Sequence, residues 1–129
     1  MSDDKFEEIL NKALESIPGE FRKNIENVSI TYQDFPTKKQ LDSVNARGLL
    51  LGLYEGVPTT RGSRYMVKLP DKITIFKIPI LMFSKTKSVE ETVRDTLIHE
   101  IAHHFGMNEK QVRDAEKTNG NKYKKKKIY

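Results

Sequence analysis

The strongest constraint on this chain is a single segment, Ser88 to Gly106, which carries the marks of one long amphipathic helix. Ser88 with Glu91 three residues later reads as a capping box. Val93, Leu97, Ile101 and Phe105 recur as an apolar stripe, and Gly106 stands where a left-handed residue ends a helix. The spacing predicts a helix over Val89 to Phe105. Inside it lies His99-Glu100-Ile101-Ala102-His103. Residues four apart on a helix differ by about 40° in azimuth and about 6 Å in rise, so both imidazoles project from one face toward a common point. One divalent ion can take both nitrogens, at about 2.0–2.1 Å for zinc. Glu100 is rotated about 100° from His99. That makes it a poor ligand but lets its carboxylate reach a water at an open coordination position, as a general base must.

A catalytic zinc needs a third protein ligand, and the same register offers one. His99-Glu100-x-x-His103-x-x-Gly106-x-x-Glu109 lets the chain turn sharply at glycine and swing the last position back toward the metal. Glu109 is therefore the candidate third ligand of a His₂Glu set for Zn²⁺, with Asp114 and Glu116 as substitutes. His104 lies about 100° past His103 and about 140° from His99, next to Leu97 and Ile101, and it reads as a packed or boundary residue rather than a ligand.

The run Thr96-Leu97-Ile98-His99-Glu100-Ile101-Ala102-His103-His104-Phe105-Gly106 resembles the bacterial minimal zincin-like metallopeptidase family. So do Leu53-Tyr54-Glu55-Gly56-Val57-Pro58 and Leu69-Pro70-Asp71-Lys72-Ile73-Thr74-Ile75-Phe76 before it. The likeness spans roughly Leu50 to Val112. It implies an α+β fold, a small zincin-like domain in which a twisted, mostly antiparallel-edged sheet packs on the active-site helix. It also implies His99 and His103 as metal ligands, Glu100 as the base, and Ile73 to Phe76 as an edge strand that pairs with an extended substrate. Glu109 stands where the family usually has aspartate. No methionine follows at the distance of a Met-turn, and Met107 is too close to serve.

The rest of the chain is compatible with this reading. The net charge of +5 in 129 residues belongs to one place: Lys122 and Lys124 to Lys127 are five of the 23 basic residues, and the remaining 18 balance the 18 acids. We therefore expect one domain over 1–121 and a basic, disordered tail over 122–129, the only segment suited to nucleic acid. With no cysteine, disulfides, thiolate ligands and cysteine nucleophiles are excluded. Neither a signal peptide nor an apolar run of spanning length is visible, so a cytoplasmic protein with no membrane partner is expected.

Phe6, Ile9, Leu10, Ala13, Leu14 and Ile17 outline an N-terminal helix that Ser2 caps and Pro18-Gly19 ends. Val28, Ile30 and Tyr32 alternate as a strand. Gln33 to Arg47 forms a connection long enough to hold a short helical turn or a functional loop. Leu49 to Tyr54 reads as a buried strand. A turn at Leu69-Pro70-Asp71 leads into a strand over Ile73 to Ile78 that stops at Pro79, and a helical turn follows through Phe83. Asn108 with Gln111 opens a last helix through Val112 and Ala115, stopped by Asn119-Gly120.

The chemistry expected is hydrolysis of a peptide or protein substrate, with Glu100 taking a proton from the attacking water and returning it to the leaving amine. Tyr54, Tyr65 and Arg61 are the candidate oxyanion partners. Two rivals remain open: a zinc-binding regulatory module without turnover, and a metal-dependent hydrolase of another bond such as an RNA phosphodiester.

Overall fold

Ser2 begins the first helix as expected, its hydroxyl accepting the Lys5 amide, and α1 runs from Asp3 to Glu15. The computed structural model describes residues 1–46, 48–56, 71–84 and 88–118. Phe6, Leu10 and Ala13 of α1 are buried, as is Ile17 beyond it, while Ile9 and Leu14 pack at the margin. Pro18 does more than end this helix. It caps the next one, α2 (Gly19–Arg22), because its fixed φ suits a helix start.

Among the described residues, three strands form a mixed sheet in the order β1-β3-β2. β1 (Val28–Gln33) pairs parallel with β3 (Asp71–Phe76), and β2 (Gly52–Glu55) pairs antiparallel with the other side of β3. Only the β2 side is therefore antiparallel. The apolar run from Leu49 becomes a shorter strand than expected, and it lies at the sheet edge with Leu49 exposed. β3 is central, which corrects the assignment of Ile73 to Phe76 as a substrate-pairing edge. Both of its hydrogen-bonding sides are taken, and its β-branched residues Ile73, Thr74 and Ile75 are buried accordingly.

The connection after β1 holds the short helix α3 (Lys38–Ser43), opened by a complete capping box between Thr37 and Gln40. β3 ends two residues earlier than the sequence suggested. Lys77, Ile78 and Pro79 form the first turn of α4 (Lys77–Phe83), where a missing proline N–H costs nothing. Lys77 is nearly buried and donates to Asp3 at 2.8 Å, tying α4 to the start of α1.

α5 spans Val89–Phe105, the range predicted from its caps. Ser88 accepts the Glu91 amide, and Gly106 at φ 67° turns the chain at the other end. Val93, Leu97, Ile98 and Ile101 are fully buried against α1, Phe21, Ile73, Ile75 and Ile80, each such side chain contributing roughly 1.5–3 kcal/mol. The apolar stripe stops short of Phe105, which is 38% exposed. α6 (Glu109–Thr118) starts at a reciprocal box between Asn108 and Gln111 and buries Val112 and Ala115. Arg94, 1% exposed, donates to the carbonyls of Ala115 and Glu116, satisfying groups that the last turn of α6 leaves open and holding α6 against α5.

No described helix is long and apolar enough to cross a membrane. The turn at Leu69-Pro70, the stop at Asn119-Gly120 and the lysine run lie outside the described residues.

Candidate metal centre

Along α5 every residue from Glu91 to Ile98 but Thr96 is buried, as are Ile101 and Ala102. His99 and His103 are exposed, one helical turn apart on the same face. Apolar packing of the other faces leaves this stripe as the part of the helix available to solvent. The His99 Nδ1 lies 2.7 Å from the main-chain carbonyl of Asp95. A carbonyl only accepts, so the ring proton sits on Nδ1 and the Nε2 lone pair is directed outward. This is the anchoring by which proteins present a histidine to a metal.

Glu100 is half-buried between α5 and β2. Its Oε1 accepts the Tyr54 main-chain amide at 2.8 Å. Burial pushes its carboxyl above the ordinary value, opposed first by that amide and then by the nearby His103 and His99.

The sheet edge comes this close because of Gly52. A Cβ added there would lie 2.7 Å from Thr96 Cγ2 on α5, so only glycine admits the approach. Two cavities flank Glu100. One, of about 320 Å³, is lined by Leu51, Phe83, Thr96, His99, Glu100 and Glu116 among others. The other, of about 390 Å³, includes Val44, Tyr54, Glu100, His103 and His104. Leu50 and Gly52 border both.

The acids nominated as third ligand are placed differently. Glu109 is the first residue of α6 and exposed, and Asp114 is exposed further along; neither lines these two cavities. Glu116 is half-buried and shares a cavity with His99. Among the described residues, no three His, Asp or Glu side chains stand together as a group able to hold a metal ion. The structure thus puts His99 and His103 on one exposed face of α5 and Glu100 beside the two cavities that they border, and neither of those cavities includes Glu109. The two-nitrogen donor set, with one tautomer fixed by a carbonyl, suits zinc.

His104 takes the boundary place that its azimuth suggested. It is exposed and stacks on the Tyr54 ring, centroids 3.6 Å apart and planes 12° from parallel. The Tyr54 hydroxyl donates to Asp71 Oδ2 at 2.8 Å, which commits it away from an oxyanion role. Burial, then that bond and the charge of Asp71, push its pKa up to about 12. Arg61 and Tyr65 lie outside the described residues. Sequence reasoning missed the Asp95 carbonyl and the Tyr54 amide, since a main-chain group carries no residue signature. Gly52 within an apolar run was a legible sign of close backbone approach.

No curated protein matches the chain. The sequence model of the family described as Zincin-like metallopeptidase does match, over residues 25–118, which takes in β1, α5 and the whole of α6. With more than half its length covered by that match, the chain belongs to the zincin-like metallopeptidase family.

Proposed function

We propose that this protein is a zinc-dependent peptidase in which Glu100 is the general base. The observation that carries the reading is the placement of Glu100. It is half-buried, lies on the same helix as two exposed imidazoles, and borders both cavities beside them. His99, through Nε2, and His103 would hold the zinc, with the third donor either Glu109, on motif spacing, or Glu116, which shares a cavity with His99. When bound, zinc supplies Lewis-acid polarisation of a scissile carbonyl and lowers the pKa of water.

The chain's own residues supply the rest. The Asp95 carbonyl holds the His99 ring in one tautomer. Glu100 takes a proton from the attacking water and delivers it to the amine that leaves. An extended peptide would add to the edge of β2 that no described strand occupies, where ladder alternation turns the Gly52 amide and carbonyl away from β3. The Leu50 and Gly52 rim common to both cavities gives such a peptide a continuous path past Glu100.

A zinc-holding module without turnover would need no proton acceptor at position 100. Glu100→Gln, assayed on unfolded casein with zinc measured in parallel, separates the two. We expect cleavage to fall by about 10²–10⁴-fold with zinc retained. Cleavage at the parental rate would overturn the assignment of Glu100.

A further inference from the structure

Glu100 sits on a helix surface, and a glutamate there has three side-chain torsions to lose before it can act as a base at one fixed point. What restrains it comes from the sheet. Phe76 donates to the Leu51 carbonyl at 2.9 Å, and the antiparallel register places Leu53 opposite Thr74 and Tyr54 opposite Ile73. Alternation of the ladder then turns the Tyr54 amide away from β3, toward α5. It ends on Glu100 Oε1. One carboxylate oxygen is thereby fixed, and Oε2 is the oxygen left to take a proton.

The amide is itself held from two directions. Tyr54 reaches diagonally across the sheet to Asp71 through its hydroxyl, and on its other side the ring stacks on His104, the residue that follows His103. Phe105 closes edge-on at 5.9 Å. Strand β3, strand β2 and the last turn of α5 are thus joined through one side chain whose main-chain N–H points at the base.

We propose that Tyr54 is the positioning residue of this site, its main-chain amide fixing the Glu100 carboxylate and its clamped ring fixing the amide. The proposal rests on the reading of Glu100 as a base. It predicts a loss confined to turnover, since neither the proposed metal ligands nor the substrate edge at Gly52 is altered.

The test is replacement of the amide by an ester at residue 54, the tyrosine side chain kept, beside Tyr54→Phe and Tyr54→Leu. For the ester we expect kcat to fall about 10- to 100-fold, with KM within about twofold and zinc content unchanged. Tyr54→Phe loses the bond to Asp71 but keeps the stack and should lower kcat about two- to fivefold, whereas Tyr54→Leu loses both and should fall closer to the ester. An ester with parental kcat, or one that loses zinc and turnover together, overturns the proposal.

A second readout needs no activity. Amide exchange at Tyr54 should accelerate at least about tenfold in Glu100→Ala, the loss of one hydrogen bond. An unchanged rate refutes the proposal even in an active protein. A raised rate in a parent that cleaves nothing upholds the restraint and refutes the peptidase reading instead.

Discussion

Gly52 and Thr96 stand so close that a Cβ on the glycine would fall 2.7 Å from the threonine methyl, which sets the distance between the sheet edge and the helix that bears both histidines. Ile75 Cδ1 at 3.2 Å and the Thr74 carbonyl at 3.4 Å close the other sides, leaving the strand little room to shift. Gly52→Ala should destabilise the protein by about 1–3 kcal/mol, read as a lower urea midpoint with an unchanged slope. Thr96→Ser removes the offending methyl and keeps the hydroxyl that bonds the Thr92 carbonyl, so it should recover part of the loss in the double variant. Additive losses would show that the contact does not govern the approach.

Gly106 presents the opposite case. Its φ of 67° is left-handed, yet an added Cβ would meet nothing within 4 Å, so any penalty comes from the backbone alone. Gly106→Ala should cost about 1–2 kcal/mol, and Gly106→Asn clearly less, since asparagine tolerates that conformation. Equal losses in the two variants would point to a packing role for this residue.

Alkaline pH should weaken the fold in a defined window. Tyr54 titrates at 10.0 when unperturbed and is pushed up to about 12 in the fold. Between those values the native state keeps a proton that the unfolded chain has released. The contribution of this group is therefore whole below pH 10 and is lost as pH rises toward 12. Tyr32, bonded to Glu7, acts in the same window. Urea midpoints at about pH 9 and about pH 11 should fall less steeply in Tyr54→Phe than in the parent; parallel declines would remove Tyr54 from the account.

Most of the helical architecture was legible because caps and periodicity act locally. Ser88 and Gly106 bounded α5, Asn108 and Gln111 opened α6, and Ser2 opened α1. Strand order was not legible, since the same β-branched run Ile73-Thr74-Ile75 serves a centre or an edge equally well until its partners are known. The histidine pair followed from helical geometry alone. The placement of Glu109 was not legible in the same way, because it depends on how α6 leaves the Gly106 turn, and the Asn108 and Gln111 box sets it at the exposed start of that helix. The partner of His104 was not legible for a related reason: its azimuth on α5 was known, but the Tyr54 ring that receives it comes from the sheet.

The central claim is that His99 and His103 hold one zinc ion together, and metal analysis of the purified protein tests it most directly. About one zinc per chain is predicted for the parent and none in either His99→Ala or His103→Ala, each folded by circular dichroism. A parent without stoichiometric zinc, or variants that keep it, would contradict the account.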